Sequence, residues 1–196
     1  MDKLNVAFEL FDDYNKKDPR QFEWQGESYP QEYFFAIKLY EWVLKLEPEA
    51  PEELLLASRS QHIGRWEIPR ESYPDGRESY LKWRKDLALH HADIADKLMT
   101  EAGYEPEIIE RVNLILLKKR IKVDPEVQTM ENALCLVFLE FQYEEFRKKY
   151  QQEPEKMINI LHKSLLKMDG KGHEFALKLA YSADGLAIVQ KALEKI

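Results

Sequence analysis

The stretch KWRKDLALHHADIADKL, residues 82–98, decides the fold. Stepping by three or four from Tyr80 into it collects Arg84, Leu87, His91, Ile94, Ala95 and Leu98 on one face, a spacing that an α-helix brings together. Trp83 leads to Leu87 and His91 by steps of four. His91 therefore points toward the core and His90 stands nearer the polar edge. An inward Arg84 must meet an anion, either a side chain or a ligand. An inward histidine is either a core residue donating to a backbone carbonyl or part of a site.

Outward from this segment the apolar spacing stays helical nearly everywhere, and no stretch shows sustained alternation between turn residues. The fold class expected is all-α, a single globular domain of about eight or nine helices over residues 1–196. Leu4, Phe8 and Phe11 share a face of a first helix that stops near Asp18-Pro19, and the aromatic link from there to Pro30 reads as irregular. Pro30, Pro51, Pro106, Pro125 and Pro154 suit helical first turns, and Gly103 suits the C-terminal cap of the helix from about Asp75 to Ala102. The helix opened by Asp124-Pro125-Glu126 is expected to run toward Tyr150, and one or two more follow Gly172.

Composition narrows the function. A chain of 196 residues with 44% apolar content can bury a substantial core. Its net charge of −7 argues against extended nucleic-acid binding, which calls for a basic face. The N-terminus shows no secretory pattern and no apolar run reaches the length of a membrane span, so a cytoplasmic location without membrane insertion is expected. Cys135 is the only cysteine, which excludes an intrachain disulfide and cysteine-rich metal sites. Locally the charge reverses. Seven basic residues lie between Arg59 and Lys85 against four acidic ones, and KKRIK at 118–122 adds four more, which gives an anion room to bind.

Two further stretches carry candidate chemistry. In SRSQHIGRW, residues 58–66, His62 lies one turn beyond Ser58 and Arg59 at the exit of a helix, where rigid scaffolds commonly hold functional groups. Stacking or surface ion pairing explains Trp66 and Arg70 better. In ENALCLVFLEF, residues 131–141, the seven apolar residues Ala133–Leu139 imply a helix buried all round, so that Glu140 is expected to be desolvated and in need of a cation, a metal or strong donors. Glu131, nine residues earlier, falls on the opposite side of the helix at about 100° per residue. Asn132 is nearer in angle.

QHIGRWEIPRESYP, YLKWR, HHADIADKLMTEAGY, KKRIKVDPEVQTMEN and ALCLVFLEF resemble the signature blocks of the family called domain of unknown function 4202, in order from about 54 to 141. A remoter similarity links them to the HD-type metal-dependent phosphohydrolases, an all-α superfamily. This resemblance implies an HD-like core at about 30–150. It aligns Gln61 and His62 of RSQHIGR with the histidine and aspartate of the HD pair, His91 with a later histidine, Lys118 and Lys119 with further histidines, and Glu140 with the distal aspartate. The ligand set it implies for a divalent metal ion is His62, His91 and Glu140, backed by Gln61, Glu131 and Asn132. Arg59, Arg65, Arg84, Lys118 and Lys119 are the expected substrate-binding cations. No catalytic residue is assigned. The expected ligand is a phosphorylated small molecule or nucleotide, with metal-dependent phosphoester hydrolysis through that reduced ligand set as the catalytic form. The alternative is a structural or protein-interaction module.

Overall fold

A computed structural model describes residues 2–196 and is predominantly α-helical, as the periodicity predicts. Contacts divide the chain into two compact units, one running to Val43 and then from Glu49 to Lys119, the other comprising Leu44–Pro48 and Arg120–Ile196.

The first unit holds α1 (Lys3–Asn15), β1 (Gln21–Trp24), β2 (Glu27–Pro30), most of α2 (Gln31–Leu46), α3 (Glu52–Ser60), α4 (Arg77–Glu101) and α5 (Pro106–Leu116), with two single 3-10 turns at Arg65–Glu67 and Arg70–Ser72. Helix α3 packs on α1 and α5, and α4 packs on α1 and α5. Between them Phe11, Leu54, Leu56, Ile63, Met99, Ile115 and Leu116 are almost fully removed from water. That burial is the main stabilising term of the unit.

The link expected to be irregular is an antiparallel hairpin instead, with Phe22 opposite Tyr29 and Trp24 opposite Glu27. Its two-residue turn places Gln25 at φ 52 and Gly26 at φ 85, the left-handed pair that a tight hairpin favours. The hairpin docks through Phe22, whose ring centre lies 4.8 Å from those of both Phe34 and Phe35 on α2. Beside it, Asp18 accepts hydrogen bonds from the Glu32 amide at 3.0 Å and from the Arg20 guanidinium at 2.9 Å, and Arg20 also donates to Glu32 at 2.9 Å. A buried carboxylate thus fixes the start of α2.

The second unit contains α6 (Pro125–Phe141), α7 (Tyr143–Lys148), α8 (Pro154–Leu165), α9 (Gly170–Ala176) and α10 (Ala183–Leu193). The Asp124 side chain accepts from the Glu126 and Val127 amides, the N-cap that Asp-Pro-Glu foretells. One long helix to Tyr150 was expected, but Gln142 at φ −126 separates α6 from α7. That break and the separate α9 and α10 bring the total to ten α-helices among the described residues, against the eight or nine expected. Helix α8 packs on α10 and α6 on α9.

On α6, Asn132 donates to the Asp169 carboxylate at 2.9 Å and accepts from the Asp169 amide at 3.1 Å, while Asp169 in turn caps α9 through the Gly172 amide at 3.0 Å. The Asn132 carbonyl also accepts from Gln128 at 3.1 Å. In the basic segment KKRIK, Lys118, Arg120 and Lys122 have φ of 55, 67 and 67, three left-handed non-glycine residues in five positions.

Candidate functional site

The site of the first unit is built where α3 ends. The chain turns after Ser60 and passes through Gly64 at φ 69, a conformation that glycine adopts without strain. A Cβ on Gly64 would lie 2.4 Å from Ile94 Cδ1 and 3.3 Å from His90 Nε2, so the turn lies hard against α4. This close approach brings His62 to His91, with ring centres 5.8 Å apart.

His91 is only 3% exposed, and its Nδ1 donates to the Ile63 carbonyl at 2.5 Å. That bond fixes the tautomer, so Nε2 carries a lone pair, and Nε2 has no hydrogen-bond partner among the described residues. Burial, opposed by the Ile63 bond, holds the His91 pKa down at about 3, with Arg65, His90 and Lys118 adding to the depression. His62 is half-buried and also held well below the ordinary histidine range, first by burial and then by Arg65, His91, Lys118 and Arg84. Both imidazoles are neutral at pH 7 and sit in a positive field.

The cations around them are held differently. Arg65 lies over the Trp83 ring at 5.6 Å and comes within 3.9 Å of Glu32. Arg84 was expected to point inward, but it is exposed and sits over Tyr80, itself 43% exposed. Its neighbour Trp83 is buried, so at this turn the core side of α4 carries the indole and the long Arg84 side chain reaches water. Lys118 is half-buried and bears on both histidines, whereas Lys119 is exposed and is not among the main charges on either. Arg59 is buried and pairs with Asp12 of α1, clamped between the rings of Phe8 and Tyr40 at 4.9 and 5.5 Å. Its charge is committed within the fold. Gln61 is buried and donates to the Leu116 carbonyl at 3.2 Å, joining α3 to α5. Trp66 packs against Tyr14 and Arg70 donates to the Tyr73 and Pro74 carbonyls, the structural roles expected of them.

The remaining candidates lie on α6 of the second unit. Glu131 and Asn132 are buried, and Asn132 belongs to the cap of α9. Glu140 is exposed, contrary to the desolvated acid expected from the apolar run. Leu134, Cys135 and Phe138 are also partly accessible, so α6 is not enclosed on every side and Glu140 meets solvent near its end. Among the described residues no three His, Cys, Asp or Glu side chains form a group suited to a metal ion. His62 and His91 have the neutral rings that ligation needs, but they lie among Arg65, Arg84 and Lys118, a field that repels a cation. The residues present do not fit a divalent metal.

The family description Domain of unknown function (DUF4202) matches residues 5–189. The chain belongs to this family. No curated protein and no solved structure matches it. The DUF4202 span also includes two residues that reading by motif passes over, Asn15 and Glu32, which line a cavity of about 10 Å³ together with Ser58 and His62. Asn15 had a legible signal, because it continues the Phe8–Phe11 stripe of α1 as a polar residue on an apolar face. Glu32 had none, since an acid in a first turn ordinarily serves the helix dipole.

Proposed function

We propose that the first unit binds a phosphorylated small molecule or a nucleotide, with the phosphate lying against Arg65, Arg84 and Lys118 beside the two histidines. The observation that carries this reading is the sign of the field: apart from the neighbouring imidazole, the charges that bear most on His62 are Arg65, Lys118 and Arg84, all positive. A dianion relieves that crowding, and each charge-assisted bond to it is about twice as strong as a neutral one. The resemblance of residues 54–141 to HD-type phosphohydrolases points to the same ligand class, with phosphoester hydrolysis as the chemistry to test for.

Thermal unfolding in the presence of EDTA tests the reading with AMP, inorganic phosphate and adenosine as probes. AMP and phosphate raise the midpoint and adenosine does not. Lys118→Ala and Arg65→Ala each weaken AMP binding roughly tenfold, about 1.4 kcal/mol. An equal shift with adenosine, or no shift with AMP or phosphate, overturns it.

A further inference from the structure

The cavity beneath His62 has the volume and lining of a site for one water molecule. About 10 Å³ of accessible space is roughly one water probe, and such a site needs two to four polar partners. Asn15 is 1% exposed, and both its amide oxygen and its amide nitrogen are without hydrogen-bond partners among the described residues. An amide left in that state has its carbonyl acceptor and its NH2 donors open, and a water molecule, both donor and acceptor, can meet either. Glu32, 3% exposed, spends one oxygen on Arg20 at 2.9 Å and keeps lone pairs for a further donor. Phe35, Ala36 and Leu39 form the apolar wall, and Ser58 already donates to the Leu55 carbonyl at 2.7 Å, which leaves Asn15, Glu32 and His62 as the polar groups for a water.

Two of these groups connect the cavity to the cationic site. His62 lines the one and is subject to the charges of the other, and Arg65 reaches to within 3.9 Å of Glu32. Arg65 does not line the cavity, but its contact with Glu32 brings a phosphoryl group held there close to the acid that does.

We propose that this cavity holds the nucleophilic water of a metal-independent phosphomonoester hydrolase, with Glu32 as its general base and Asn15 as the residue that positions it. The proposal rests on the phosphate-binding reading above. The water oxygen forms a bond to phosphorus as the bond from phosphorus to the ester oxygen breaks. One water proton passes to Glu32 and the other stays on the released phosphate. The leaving oxygen takes its proton from solvent, and Glu32 returns to its carboxylate by releasing its own. Burial raises the Glu32 pKa despite Arg65 and Arg20, which makes it a stronger base than an exposed glutamate. Arg65, Arg84 and Lys118 neutralise the charge at the phosphoryl oxygens.

The experiment measures phosphate release by the full chain in EDTA from AMP, GMP, glucose 6-phosphate and p-nitrophenyl phosphate, with thermal shifts recorded on the same samples. At least one probe that shifts the midpoint is hydrolysed. Glu32→Gln lowers that rate at least 100-fold, within the usual range for loss of a general base, and keeps the AMP shift. Asn15→Ala, which breaks no protein hydrogen bond, lowers kcat at least tenfold with KM unchanged, the signature of a positioning residue rather than of lost stability. Probes that bind and release no phosphate overturn the water-site inference and leave the binding reading standing, as does wild-type turnover in both Glu32→Gln and Asn15→Ala. Absence of any shift removes the binding reading and this one with it.

Discussion

Each unit buries an asparagine, and the two are used in different ways. Asn132 spends its side chain on the Asp169 carboxylate, the Asp169 amide and Gln128, and so fastens α6 to the cap of α9. Asn15 is buried to the same degree, yet neither of its amide atoms has a protein partner among the described residues, and the residue lines a cavity shared with Glu32 and His62. Burying a polar group without a partner costs roughly 1–3 kcal/mol. A closed network therefore marks architecture, and an open one marks a place where something other than protein completes the bonding.

Mutation sharpens the contrast. Replacing Asn132 with Ala strands the Asp169 amide, removes one of the two donors to the Asp169 carboxylate and takes away one of the two acceptors of Gln128. Urea unfolding should show a loss of about 2–3 kcal/mol with no change in AMP binding beyond that caused by unfolding. If Asn132→Ala costs less than about 1 kcal/mol, the network in the second unit is not what holds α9.

His91 supplies the next effect in size. Its folded pKa of about 3 lies below the ordinary value of 6.5, so the unfolded chain takes up a proton first as the pH falls. The stability contributed by the neutral ring is present above pH 6.5 and is lost progressively below it, by about 2 kcal/mol between pH 7 and pH 5. His91→Gln should remove that part of the acid sensitivity, and matched denaturant curves at the two pH values check it. The smallest effect belongs to Asn15→Ala, which should change stability by less than about 1 kcal/mol because no protein bond is broken. A loss as large as that of Asn132→Ala would erase the distinction between the units.

Much of the fold was legible because helical signals are local. Asp124-Pro125-Glu126 caps and starts a helix through its own side chain and backbone, so these three residues suffice to locate it. The hairpin at Gln21–Pro30 was missed although Gln21–Trp24 alternates, because each strand is only four residues long, its turn places a non-glycine residue, Gln25, at φ 52, and its docking depends on aromatic contacts with α2. The meeting of His62 and His91 could be read in outline, since one lies at a helix exit and the other on an inward stripe. Glu140 and Arg84 were misread for the same reason. A run of apolar residues or a shared stripe fixes direction around the helix axis, but burial depends on whether a neighbour covers that part of the helix.

The left-handed residues of KKRIK carry a cost in stability that their side chains do not repay with buried contacts. Each non-glycine residue held at positive φ costs on the order of 1 kcal/mol, and glycine at Arg120 or Lys122 would relieve that strain, an increase that thermal melts can measure. Both side chains are exposed, so the exchange removes no buried contact and the gain comes from the main chain alone.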